Sequence, residues 1–176
     1  MKGIKGKIKN KPKDEKATIK ENSVLAQNII AHIKYPIEHI KITAFLPKNT
    51  NLFLVDTINQ IVLNQQFTSK ISNKFLWALL NSTFVNWYCY NFIYAKAVRT
   101  MHFDNAVTSR LPVPKNITQE MQKPIITLVD EILALKTKDV KADTSVLDAQ
   151  LDALVYDLYG LGEEEIKIVE VKTAKM

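Results

Sequence analysis

Glycine is scarce in this chain, at four in 176 residues. Loops that cradle phosphates need glycine's backbone freedom, and neither GxGxxG nor a GxxxxGK[ST] run occurs. The same scarcity argues against a glycine-rich barrel. Cysteine occurs once, as Cys89 inside an apolar run, so no internal disulfide can form. A single cysteine with three scattered histidines, His32, His39 and His102, has no metal-ligand spacing. It also points to a reducing cytoplasm. No GxSxG nucleophile elbow is present. The start, "MKGIKGKIKNKPKDEK", has charge without the apolar stretch of a signal peptide. An uninterrupted hydrophobic span is missing too. "FLWALLNSTFVNWYCYNFIYA", Phe75 to Ala95, has the length to cross a bilayer, but Asn81, Ser82, Thr83, Asn86 and Asn91 break it. A buried core helix is the expectation, with no membrane partner.

What is present suits one ordinary domain with an appendage: 47% hydrophobic and 24% charged residues. The net charge of +6 is unevenly placed. Residues 1–20 carry eight lysines against Asp14 and Glu15, a net +6. Residues 21–115 carry nine Lys/Arg against four acids, a net +5, and residues 116–176 carry seven against twelve, a net −5. A basic front and middle raise the local concentration of phosphate-bearing partners, whereas the acidic end would repel them. The lysine-rich start fits a solvated terminus, an edge strand or an arm lying on DNA.

Hydrophobic periodicity orders the rest. "VLAQNIIAHIK", Val24–Lys34, is rich in β-branched residues and predicts a strand. In "YPIEHIKITAFLP", Ile40, Ile42 and Ala44 alternate with Lys41, Thr43 and Phe45, which is strand period. "TNLFLVDTINQIVLN" predicts two strands around Asp56–Asn59, with Pro47, Asn49 and Asn51 in the preceding turn. "NKFLWALLNSTFVNWYCYNFIYAKAV" then predicts a central helix, capped at its start by Ser72 or Asn73. "RTMHFDNAVTSRLPVPKN" reads as a loop containing a short strand. Two amphipathic helices follow. In the first, Thr118 is the predicted cap and Ile125, Leu128, Val129, Ile132, Leu133 and Leu135 the stripe. The second starts at Asp143 or Thr144, carries Val146, Leu147, Leu151, Leu154, Val155 and Leu158, and stops at Gly160 and Gly162. "EEEIKIVE" predicts a short last helix. The expected fold is therefore α+β. A basic segment (1–20) precedes a mixed α/β body with a buried aromatic helix (21–115), and a C-terminal helical hairpin closes the chain (116–176).

The stretch "KAVRTMHFDN", Lys96 to Asn105, holds Arg99, His102 and Asp104 together. Without a nucleophile, metal ligands or a phosphate loop, it reads as the exit of the aromatic helix into a basic loop. Asp157 with "EIK", Glu165–Lys167, imitates a nuclease motif, but both acids fall in helices, whereas such nucleases display them from adjacent strands.

The ordered series "LLNS", an aromatic helix, and "LPVP" resembles the TaqI-like C-terminal specificity domains. These are target-recognition domains of restriction–modification enzymes and N6-adenine DNA methyltransferases. "HIKITA" upstream, and "LVDEIL" with "LVYDLYGLGEEE" downstream, are similar to the same group. The resemblance spans roughly residues 24–170. It implies a DNA-recognition module: a C-terminal fragment that is not itself an enzyme and binds double-stranded DNA. Family members follow methyltransferase and sometimes nuclease domains. This chain has no "NPPY" box, so no cofactor is expected in it. AdoMet and a divalent metal belong to the expected parent. Candidate DNA contacts near the basic loops are Lys41, Lys96, Arg99, His102, Asn105, Ser109 and Arg110. Arg99 or Arg110 suits guanine and Asn105 suits adenine. Structural roles stand beside these: Arg99 as a helix C-cap, His102 as a packing residue, Asp104 as a turn former. The alternative is a protein-interaction or scaffold module, in which the acidic helices brace the body or pack on other domains.

Overall fold

In β1, Ser23–Gln27, four consecutive residues are buried because this strand lies in the middle of its sheet. It pairs antiparallel with β4, Ala44–Phe45, on one side and with β5, Ile58–Val62, on the other. Val24 and Ala26 are fully buried. A second, two-stranded antiparallel sheet joins β2, Ala31–Ile33, to β3, His39–Lys41. The computed structural model describes residues 17–48, 50–63, 70–97 and 100–171. Most of the basic start, the turn residue Asn49 and the candidate Arg99 lie outside them.

The Ile40–Phe45 alternation holds: Ile40, Ile42 and Ala44 are buried, while Lys41, Thr43 and Phe45 are exposed. Two strand expectations need correction. Val24–Lys34 is not one strand, because Asn28 interrupts it. Its side chain donates to Asp56 O (3.1 Å) and accepts from Asn59, and Ile30 N–H turns away to Met101 O (2.9 Å). Residues 51–62 give one strand instead of two. The run before Asp56 makes only a bridge, Phe53 to Thr18, and leaves Leu52 and Val55 exposed with no core face to cover.

The predicted long helix is also divided. Ser72 caps α1, Asn73–Asn81, by accepting from Lys74 N. Ser82 then takes an extended conformation (φ −69°, ψ 149°) and its hydroxyl accepts from Val85 N, starting α2, Thr83–Tyr88. A π-helical turn, Cys89–Ile93, completes the segment. The aromatic helix is thus three pieces, yet it is central as expected. Phe75, Leu79, Val85 and Cys89 sit in one core with β1. Burial pushes the Cys89 thiol up to about 12, slightly offset by Arg110.

Beyond the short α3, Asn105–Thr108, the chain forms α4, Gln119–Lys138, α5, Ser145–Tyr159, and α6, Glu163–Val171. Thr118 caps α4 through Met121 N. Val129 and Ile132 of α4 and Leu151 and Val155 of α5 enter the same core as Phe75, so body and helices share one interior. Leu135 and Val146 fall off the expected stripe and are exposed, near the connection that joins the two helices. Gly160, in the left-handed region at φ 65°, ends α5 as its C-cap. Gly162 instead opens α6, where its N–H donates to the Glu165 carboxylate (2.8 Å) as in half of a capping box. Asp157 is exposed in α5, so neither member of the nuclease-like pair lies on a strand. Among the described residues, no helix is long and apolar enough to cross a membrane. The fold is α+β, with small antiparallel sheets against a larger helical part.

Candidate nucleic-acid interface

The π-helical turn ends with two non-glycine residues in the left-handed region, Ala95 (φ 50°) and Lys96 (φ 55°). Lys96 N–H reaches back to Tyr90 O (2.9 Å) and Ala97 N–H to Tyr94 O (3.0 Å), satisfying the last carbonyls. The turn projects the Lys96 side chain into solvent. Arg110 Nη2 donates to Phe92 O (3.2 Å) at the same carbonyl end. Arg110 thus places a cation where the negative end of the peptide dipoles favours it, while Arg99, the cation expected there, lies outside the described residues.

From Met101 the chain runs extended beside residues 28–30. Phe103 N–H donates to Asn28 O (2.7 Å), and His102 bridges Ile29. Met101 and Phe103 are buried on either side of exposed His102. His102 thus faces outward, which removes its packing reading. Its carbonyl is held by Tyr94 Oη (2.8 Å) and its Nδ1 lies 3.4 Å from Asn28 Oδ1. A carbonyl only accepts, so the Tyr94 hydroxyl is the donor, and burial raises its pKa above the ordinary value. Asn59 Nδ2 donates both to Asn28 Oδ1 (3.2 Å) and to Phe103 O. These amides fasten the segment to the sheet.

Asp104 is a turn former. Its Oδ1 accepts from Ala106 N (3.0 Å) and Val107 N (3.2 Å), capping α3. On that helix, Asn105 and, just after it, Ser109 are exposed, while Val107 is buried. Asn105, Thr108 and Ser109 line a groove of ≈ 670 Å³ opposite Asn59, Gln60 and Val62 of β5.

The structure therefore gathers Lys96, His102, Asn105, Ser109 and Arg110 onto consecutive short connections. Lys41 stands apart. It is exposed at the end of β3 and lines a separate cleft with Asp148 and Asp152 of α5. Sequence reasoning missed Asn28, Asn59 and Gln60. The available signal was a pair of adjacent amides, Asn59–Gln60, inside an otherwise apolar strand. Among the described residues, no three of His, Cys, Asp and Glu converge as metal ligands would.

Comparison with known proteins adds no relative. No family model matches the chain, and neither does any curated protein or solved structure. The likeness to specificity domains rests on the sequence motifs quoted above.

Proposed function

We propose that this chain is a DNA target-recognition module of a restriction–modification enzyme, acting in the cytoplasm on double-stranded DNA. The observation that carries the reading is the outward set Lys96, His102, Asn105, Ser109 and Arg110, mounted on connections whose alternate residues, Met101, Phe103 and Val107, are buried. Cations on such connections contact phosphates and set the register, and amides and hydroxyls beside them reach base edges. A rigid anchorage keeps these donors aimed. The module performs no chemistry in this proposal. Methyl transfer with AdoMet, and metal-dependent cleavage, belong to other domains of the parent enzyme, with the acidic helices bracing the body against them.

The test is binding of the chain to a pool of random duplexes as salt is raised. Neutralising several phosphates makes the logarithm of affinity fall linearly with the logarithm of salt. Binding without salt dependence, or none at any salt, sinks the reading. Selection of a preferred sequence from the pool would establish base reading beyond non-specific attraction.

A second reading, a protein-interaction module, is favoured by Val140 (82% exposed) and Val146 (69% exposed) near the end of the α4–α5 hairpin. It predicts concentration-dependent association in sedimentation, reduced by Val140→Asp.

A further inference from the structure

The hairpin of β2 and β3 stands outside the three-stranded sheet; Lys41 lies at its base, in the cleft with Asp148 and Asp152, and its loop is at the opposite end. Ile33 pairs with His39, so residues 34–38 form its loop. Tyr35 in that loop is 83% exposed, the highest exposure of any large hydrophobic residue described. An aromatic side chain so exposed covers nothing in this fold. Lys34 beside it is also exposed, and Ile37 is partly so. Ile40 is buried on the inner side, which seats the hairpin on the body.

The one acid of residues 31–41, Glu38, is half-exposed and makes its contacts on the body side. Its Oε2 accepts from Tyr90 Oη (3.1 Å), and its Oε1 lies 3.9 Å from His32 Nε2. The carbonyl of Tyr90 in turn accepts the N–H of Lys96. The loop is therefore coupled through Tyr90 to the turn that presents Lys96. Further along, Ile29, two residues before β2, bridges His102. Hairpin loop, Lys96 turn and His102 segment are thus linked by hydrogen bonds, and Lys34, Lys96 and His102 are each exposed.

We propose that these linked segments make one DNA-facing surface, and that the β2–β3 hairpin is the element of it that enters the major groove of duplex DNA, with Tyr35 against base edges and Lys34 on a flanking phosphate. This rests on the DNA reading of the preceding section. A two-stranded ribbon has the width the major groove accepts. Tyrosine brings a large rigid contact at low entropic cost, with a hydroxyl for a polar partner. The exposed lysines match a polyanion, and the loop's one acid is held on the body side by Tyr90.

The experiment compares the full chain with Tyr35→Ala, Tyr35→Phe and Lys34→Ala by fluorescence anisotropy on labelled random duplex DNA, with thermal melts to show that each variant folds. Tyr35→Ala should weaken binding roughly tenfold without changing the salt slope, whereas Lys34→Ala should lower the slope by about one. Tyr35→Phe should keep most of the affinity. Methyl green, a major-groove ligand, should compete, and the minor-groove ligand distamycin should not. If the wild-type chain binds but Tyr35→Ala and Lys34→Ala bind equally well, the hairpin assignment fails and the DNA reading survives. Competition by distamycin alone overturns the groove. If Tyr35→Ala alters self-association and leaves DNA affinity intact, the tip serves a protein partner and the proposal is overturned. A wild-type chain that binds no duplex at any salt removes both readings.

Discussion

Asn86 Oδ1 accepts the backbone N–H of Ile42 at 2.6 Å, in the short connection between β3 and β4. Asn86 Nδ2 donates to Leu80 O and Ser82 O, so one buried amide serves a sheet connection and a helix break at once. Asn81 does the same one turn earlier. It accepts from Ala44 N (3.3 Å) and donates to Ala44 O (3.3 Å), while Trp77 Nε1 also donates to Ala44 O (2.9 Å). The helix thus supplies hydrogen bonds to this stretch of chain from its side chains. Replacing Asn86 by leucine leaves a buried N–H without a partner, which costs about 1–3 kcal/mol, and loses bonds to two carbonyls besides. Asn86→Leu is expected to destabilise by about 2–4 kcal/mol in urea unfolding. Asn91, whose Nδ2 donates to Trp87 O one turn back in the same aromatic segment, is the control. Asn91→Leu should cost less than about 1 kcal/mol.

The same amides show what the sequence could and could not disclose. Their presence in an apolar run was enough to reject a lipid-facing helix. It did not disclose that Ser82 ends one helix and starts another, because a helix pattern before and after a serine is continuous in period. Strand alternation over Ile40–Phe45 was legible since each side chain answers to one buried face. The break at Asn28 was not, since it depends on Asp56, Asn59 and Met101, which are far away in sequence. Between Lys96 and Arg110, the exposure of Lys96, His102, Asn105, Ser109 and Arg110 agrees with their reading as a polar loop. The separation of Lys41 was not legible, because its neighbours Asp148 and Asp152 arrive with α5.

Gln122 is buried at 2% exposure with both ends of its amide engaged. It accepts from Ser72 N (2.9 Å) and donates to Lys70 O (2.6 Å), tying the start of α4 to the start of α1. Gln122→Leu keeps the volume and removes these bonds, stranding Ser72 N–H. A loss of about 1–3 kcal/mol is expected in chemical unfolding, and a variant as stable as wild type would show that water replaces the amide.

Alkaline pH should weaken the fold. The Cys89 thiol rises from 9.0 to about 12 through burial. Burial also raises the Tyr94, Tyr156 and Tyr159 phenols above their ordinary 10.0. These groups stay protonated in the folded chain at a pH where the unfolded chain has released its protons. The unfolded state therefore binds fewer protons, and stability falls as pH rises. The contribution is complete below about pH 9 and declines through the folded values. Melting temperature measured from neutral to alkaline pH should drop beyond pH 9, and Cys89→Ala should lessen the earliest part of the decline. The buried thiol should also react slowly with a thiol reagent until the protein is unfolded.

Asp104 separates a structural from an electrostatic role at the proposed interface. Its carboxylate caps the four-residue α3 and so sets where Asn105 and Ser109 stand. Asparagine caps a helix about as well as aspartate, whereas alanine does not. Asp104→Ala should cost about 1 kcal/mol of stability and loosen α3. Asp104→Asn should retain the fold while removing a negative charge from a surface proposed to meet phosphates. On duplex DNA, Asp104→Asn is expected to bind more tightly than wild type at low salt, with the advantage shrinking as salt screens the removed repulsion. Asp104→Ala should gain the same electrostatic term but lose aim, so its preference among sequences should flatten. If both variants bind as wild type does across the salt range, α3 does not face the DNA, and the contact surface would have to lie on the hairpin and Lys96 side alone.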